Sequence, residues 1–243
     1  QPLLSVVVTL FHPEPYLHGL YQLIIALSSR VNFIFVDDTR DSNSVRQTRS
    51  FFLQTNFSDN SFILLHTSED HRGVSCARNL GLTFVESKFV TFLDQDDSIN
   101  IEEFHNVLNE LAADPSEAQL FVYPYSTNYL HSGCVVSDLL HIPSYLTTCS
   151  LTDYLSKDLF ASPSSYRLAN LVLASCWSKI YNVQLIRALN VSFPPGIDRY
   201  EDCFFSLSYL FGVRHLYFSG HSFYVYNYTR ANPSGLSNAF SVE

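Results

Sequence analysis

The chain has 243 residues, 47% of them hydrophobic and 15% charged, the balance of a globular protein with a sizeable core rather than of a disordered tail. Its formal net charge of −9, with lysine only at Lys88, Lys157 and Lys179, excludes the broad basic surface that nucleic acid requires. No apolar run approaches the ~18 residues needed to cross a bilayer. The start Gln1-Pro2-Leu3-Leu4 has no basic n-region and no initiator methionine, so the sequence reads as a processed chain or a fragment without a signal peptide. Five scattered cysteines with no CxxC pair read as free thiols in a reducing cytoplasm, not as zinc ligands or a disulfide scaffold.

Taken in chain order, Ser5 to Phe11 is a β-branched run apolar on both faces, as a central parallel strand should be. Leu17, Leu20, Tyr21, Ile24 and Leu27 then repeat at helical spacing. Strands are expected at Val31–Val36, Ser61–Leu65 and Phe89–Leu93, with helices at Ser42–Leu53 and Val74–Val85 between them. Ile101, Phe104, Leu108 and Leu111 mark a further amphipathic helix. This βαβαβαβα order predicts an α/β fold with a mostly parallel sheet and helices on both faces. Beyond Leu120 the alternation weakens: strands are expected at Leu120–Thr127 and His215–Tyr228, helices at Leu185–Leu189 and Glu201–Leu210, and a flexible end at Asn232-Pro233-Ser234-Gly235. The simplest division is one half over residues 1–115 and a second over 116–243, sharing one core.

In a parallel α/β sheet, ligands bind in the crevice at the carboxyl ends of the strands. Asp37-Asp38 closes the second strand and Asp94-Gln95-Asp96-Asp97 the fourth. Gathering like charges on one edge is a poor way to build stability. Helix capping accounts for Asp41 or Asp97 singly, but not for four carboxylates together. A hard divalent cation, Mn²⁺ or Mg²⁺, accounts for them, because it binds one or two carboxylates together with phosphate oxygens and water. A calcium loop starting at Asp94 fails, since Ile99 stands where it needs glycine and His105 where it needs an acid. An aspartyl-phosphatase motif belongs on the first strand, which here carries no aspartate.

Five blocks in order resemble the family 2 glycosyltransferases of GT-A fold, particularly bacterial enzymes of surface-polysaccharide synthesis. They are the strand and turn Val6 to Leu17, then Phe35-Val36-Asp37-Asp38, then Gly73-Val74-Ser75-Cys76-Ala77-Arg78-Asn79-Leu80-Gly81-Leu82, then Phe92-Leu93-Asp94-Gln95-Asp96-Asp97, and last Tyr200-Glu201-Asp202-Cys203-Phe204-Phe205. Trp177-Ser178-Lys179-Ile180-Tyr181 resembles the Trp-x-Lys-x-Tyr that precedes the last block. The chain departs from the family at Phe11-His12, where Tyr-Asn is usual, and at Thr39-Arg40, where Gly-Ser is usual.

The resemblance implies a nucleotide-sugar pocket holding the nucleoside through Thr9, Glu14 and Asp38, with Phe11, Asp37, Arg78, Asn79, Gln95 and Trp177 lining the donor site. Asp94 would face the ribose, Asp96 would ligate the metal, Asp202 would be the catalytic base and Glu201 would position the acceptor. Taken without the other blocks, Glu201-Asp202 is an ordinary acidic first turn of a helix. An apolar wall of Phe204, Phe205 and Trp177 is expected to raise the Asp202 pKa. The implied reaction is inverting transfer from a UDP-sugar to a saccharide or lipid-linked acceptor, by a cytoplasmic protein that meets the inner face of the membrane through its acceptor. Two other readings stay open: a silent nucleotide-sugar binding module, and a nucleotidyltransferase. The latter wants a Gly-rich basic loop after the first strand, where Phe11-His12-Pro13-Glu14-Pro15 has neither Gly nor Lys.

Overall fold

A computed structural model describes residues 2–54, 62–113, 118–130, 134–138, 148–158, 169–197 and 199–228. The first half alternates as β1 (Leu4–Leu10), α1 (Leu17–Leu27), β2 (Val31–Asp37), α2 (Ser42–Gln54), β3 (Phe62–His66), α3 (Val74–Thr83), β4 (Phe89–Asp94), a short β5 (Ser98–Ile99) and α4 (Ile101–Ala112). The second half adds β6 (Leu120–Val122), β7 (Tyr125–Tyr129), β8 (Cys134–Asp138), β9 (Thr148–Ser150), β10 (Lys179–Asn182), β11 (His215–Phe218) and β12 (Tyr224–Tyr228). Helices Val183–Leu189 and Glu201–Leu210 lie between β10 and β11. The expected tail at Asn232–Gly235 falls outside the described residues.

The main sheet has eight strands in the order β3-β2-β1-β4-β10-β6-β11-β9. Strands β3, β2, β1 and β4 run parallel, and β10 enters antiparallel between β4 and β6. β11 is parallel to β6, and β9 closes the edge antiparallel. Burial on both faces explains the unbroken apolar runs: Val6, Val7 and Val8 are each fully buried. Val7, Ile34 and Phe92 face one layer, which includes Ala77 of α3 and Phe205 and Tyr209 of the Glu201–Leu210 helix. Val6, Val8 and Phe35 face the other, with α1, α4 and Phe52 of α2. Helices thus cover both faces, as the alternation predicts.

Two expected strands are each divided. Leu120–Thr127 breaks at Tyr123-Pro124 into β6 and β7, and His215–Tyr228 breaks at Ser219 to Phe223 into β11 and β12. Pro124 has no N–H for a ladder. Just before it, Tyr123 N donates to Ser178 O (3.1 Å), and Ser219 N donates to Val122 O (3.1 Å) where β11 leaves the sheet. The paired strands cross together into a second sheet, ordered β5-β12-β7-β8. There β12 runs parallel to β7 and antiparallel to β5, just beyond the acidic turn after β4.

Candidate active site

The register of the parallel strands fixes the frame. Thr9 of β1 lies opposite Asp94 of β4, and Leu10 opposite Asp37 of β2. Chain order reverses between β1 and β4, which is the crevice position for ligands in such sheets. Thr9 Oγ1 donates to Asp94 Oδ1 (3.2 Å) across that junction. Gln95 continues the junction outward: its Oε1 accepts from Phe11 N (2.8 Å) and its Nε2 donates to Phe11 O (2.6 Å). The Gln95 amide therefore splints β1 to β4, and the Phe11 ring is left 56% exposed.

At the end of β2 the two acids do different work. Asp37 is 2% exposed and accepts from Thr39 N (2.9 Å), shaping the turn. Asp38 accepts from three donors on three sides. Thr67 Oγ1 (2.5 Å) and Arg40 Nη2 (3.1 Å) donate to Oδ1, and Gly73 N (2.8 Å) donates to Oδ2. The Gly73 contact places the carboxylate at the N-terminus of α3, where the helix dipole favours negative charge, and Gly73 takes φ 90° to do so. Arg40, at one of the positions departing from the family pattern, also donates to Thr67 O (3.0 Å) and Ser68 O (3.0 Å), tying β2 to the segment after β3. Arg40 stands out in sequence only as a departure from the family pattern, and Thr67 does not stand out at all. Position at the end of the third strand was the available signal for Thr67. Glu14 sits half-buried in the turn before α1, with no hydrogen bond to the other candidates.

Helix α3 explains its whole sequence block. Ala77 packs into the core, and a Cβ on Gly81 would stand 2.5 Å from Val7 Cγ1, so only glycine lets the helix lie this close to β1. The Asn79 amide is engaged with backbone. Its Nδ2 donates to Phe193 O (2.7 Å) and its Oδ1 accepts from Phe193 N (2.8 Å), a two-point clamp on the segment before the Glu201–Leu210 helix. Arg78 is 4% exposed and reaches the site: Nη2 donates to Asp94 Oδ1 (2.8 Å) and Nη1 to Glu201 Oε1 (2.9 Å).

Asp94 to Asp97 forms a turn closed by Asp97 N donating to Asp94 O (3.1 Å). Asp97 is buried and structural, accepting from Tyr224 Oη (2.5 Å) and Asn227 N (2.9 Å). Asp96 is different. Its stabilising hydrogen bond comes from its own backbone, and burial followed by the Asp94 charge pushes its pKa up. Among the described residues no three His, Cys, Asp or Glu side chains converge into a ready-made metal cage. Asp96 offers instead the single carboxylate that a hard cation supplements with phosphate oxygens and water. A carboxylate whose ionised form is disfavoured by burial and by a like charge gains from such a cation, so Asp96 fits Mn²⁺ or Mg²⁺.

On the other side, Glu201 and Asp202 open their helix behind Tyr200, which takes a left-handed φ of 65°. Asp202 Oδ1 accepts from Cys203 N (2.8 Å). Burial, then the Glu201 charge, raises the Asp202 pKa, while Arg78 and Lys179 pull it back. The expected apolar wall is only partly there. Phe204 is 54% exposed, Phe205 is stacked on Phe193 at 4.0 Å, and Trp177 lies against Tyr224 (4.8 Å) and Tyr226 (5.9 Å). Behind Asp202, fully buried Lys179 donates from Nζ to Val172 O (2.8 Å) and to Ser175 O, and burial lowers its pKa to about 7. In sequence, Lys179 stands out only as a lysine inside an apolar strand, which marks a buried polar contact.

The sequence profile described as Glycosyl transferase family 2 matches residues 5–131, more than half of the chain. Among curated relatives, the chain is 24% identical over 167 residues to the "Minor teichoic acid biosynthesis protein GgaB" of Bacillus subtilis (strain 168), covering 63% of this chain and 18% of that protein. It is 23% identical over 192 residues to "Glycosyltransferase GlyA" of Streptococcus pneumoniae serotype 4, covering 76% and 25%. Among solved structures, S. aureus TarS 1–349 in complex with UDP-GlcNAc superposes with a TM-score of 0.68 at 18% identity, covering 93% of this chain and 58% of that one. The chain thus spans less than two thirds of each of these proteins, and the likeness to TarS is one of fold, the GT-A α/β architecture. Together with the five sequence blocks, the profile match establishes that the chain belongs to glycosyl transferase family 2.

Proposed function

We propose that the chain is an inverting glycosyltransferase that moves a sugar from a UDP-sugar to a hydroxyl of a saccharide or glycolipid acceptor in surface-polysaccharide synthesis. One observation carries the reading: Arg78 ties the acidic turn after β4 to the first turn of the helix that bears Asp202. A donor-binding half, residues 1–115, and an acceptor half, residues 116–243, then meet at one cleft. The printed names of the relatives support the same direction, since GgaB is named for teichoic acid biosynthesis and TarS was solved with UDP-GlcNAc.

In this mechanism Thr9, Glu14 and Asp38 hold the nucleoside, Asp94 takes the ribose, and Asn79, Gln95 and Trp177 keep the walls in place. Asp202 accepts the proton of the acceptor hydroxyl as its oxygen bonds to the anomeric carbon. The bond from that carbon to the diphosphate breaks on the opposite face, and UDP leaves with the electron pair. General-base assistance of this kind contributes roughly 10²–10⁴-fold. Asp96 would hold a divalent cation, which would supply charge neutralisation for the departing diphosphate. A lipid-linked acceptor would bring the protein to a membrane surface; no helix among the described residues is itself long and apolar enough to cross one.

The test is UDP release from a panel of UDP-sugars, beginning with UDP-GlcNAc, in the presence of Mn²⁺. Turnover of at least one donor that is lost with EDTA and reduced at least about tenfold in Asp96→Ala is expected, given the size of metal effects on phosphate leaving groups. Undiminished, metal-independent activity in Asp96→Ala would overturn the metal role. Tight UDP-sugar binding with no transfer or hydrolysis of any donor would favour the silent binding module.

A further inference from the structure

We propose that Asn227 of β12 is a positioning residue for the acidic turn, holding Asp96 in the direction that receives the metal. The inference rests on the proposed nucleotide-sugar reading. Every hydrogen-bonding group of Asn227 that faces the turn is used. Its Nδ2 donates to Asp96 O (2.8 Å) and lies 3.5 Å from Ser98 Oγ, and its backbone N donates to Asp97 Oδ1 (2.9 Å). Its Oδ1 accepts from Nδ2 of Asn128 (3.0 Å), the residue opposite it in the β7–β12 register, so the amide cannot flip without losing a partner.

The physical need is specific. Asp94 and Asp96 repel, and among the described residues the hydrogen bond that favours the ionised Asp96 carboxyl comes from its own backbone. A free turn would relieve that repulsion by rotating the Asp96 peptide and swinging its side chain into water. Pinning the Asp96 carbonyl from one side and the Asp97 side chain from the other removes that rotation. A site assembled in advance binds its cation without the cost of ordering it, and supporting residues of this kind are typically worth roughly 10–100-fold in metal affinity. Tyr224 contributes only to the Asp97 half, through its Oη, so the two residues are separable.

The experiment uses the full chain and Mn²⁺ as the probe, with UDP present, read by electron paramagnetic resonance of free Mn²⁺ alongside the activity titration. In Asn227→Ala, Mn²⁺ affinity should fall about tenfold or more, and the KM for Mn²⁺ should rise to match. The kcat at saturating Mn²⁺ should stay within about twofold. Tyr224→Phe should move both far less. A purely structural role would lower the amount of folded protein, and with it kcat, while leaving Mn²⁺ affinity unchanged; that result would overturn the proposal. Should Asn227→Ala not fold, Asn128→Ala releases the same amide from its far side, and unchanged Mn²⁺ affinity there overturns the proposal equally. Wild-type protein that binds no Mn²⁺ with UDP would sink the underlying reading as well, whereas wild-type binding with an unaffected Asn227→Ala sinks this inference alone.

Discussion

The guanidinium of Arg78 joins Glu201, 123 residues away in sequence, to Asp94, with N–O separations of 2.9 and 2.8 Å. This pair of contacts ties the turn after β4 to the first turn of the Glu201–Leu210 helix. It converts two acidic clusters, each costly alone, into one braced site. Arg78 also lies 5.3 Å from the Phe193 ring, the residue that Asn79 clamps, so one turn of α3 sets both the electrostatics and the packing of the cleft.

Replacing Arg78 by methionine keeps most of the volume and removes the charge. The Arg78 and Glu201 side chains are 5% and 9% exposed, and breaking a buried pair by deleting one partner typically costs about 3–5 kcal/mol because the remaining charge stays buried. Urea unfolding should register a loss of this order. A loss below about 0.5 kcal/mol would mean that Glu201 relaxes to solvent and that the brace is dispensable.

Gly81→Ala tests the close approach of α3 to the sheet. Its new methyl would meet Val7 Cγ1 at 2.5 Å and Val36 Cγ2 at 3.3 Å, and overpacking of this kind costs roughly 1–3 kcal/mol. Helix propensity alone predicts the opposite sign, a gain of up to about 1 kcal/mol. The sign of the change in urea midpoint therefore decides between packing and propensity.

Lys179 gives the fold a pH signature. Burial lowers its pKa to about 7, against 10.5 for an ordinary lysine. Below that window folded and unfolded chains both hold the proton, and within it the unfolded chain holds the proton that the folded chain has lost. Stability from this residue therefore rises with pH from about 7 towards about 10.5. Lys179→Met should flatten the stability profile over that interval relative to wild type. Parallel profiles would show that Lys179 stays charged where it is buried.

Much of the first half was legible because its signals are local. Its central strands are apolar on both faces and α1 carries a stripe, so α1 falls on its expected bounds; in the second half the Glu201–Leu210 helix does so too. The carboxyl-edge rule then located Asp37-Asp38 and Asp94 to Asp97. The second sheet was not legible, because β7 and β12 pair across about a hundred residues, as Asn128 and Asn227 do at a separation of 99. The break at Ser219-Gly220 was a turn signal inside an aromatic run that otherwise reads as one strand. Side-chain direction was also hidden. Sequence cannot distinguish an amide facing a ligand from one spent on backbone, which is where Asn79 and Gln95 lie, nor a buried phenylalanine from the exposed Phe204 beside it.

The proposed mechanism turns on Asp202 as the base, and donor turnover in Asp202→Asn is its decisive test. The amide preserves shape and cannot accept the acceptor's proton at working pH. With the donor found by the UDP-sugar panel and saturating Mn²⁺, kcat should fall by roughly 10²–10⁴-fold while the KM for the donor changes little. Full activity in Asp202→Asn would contradict it.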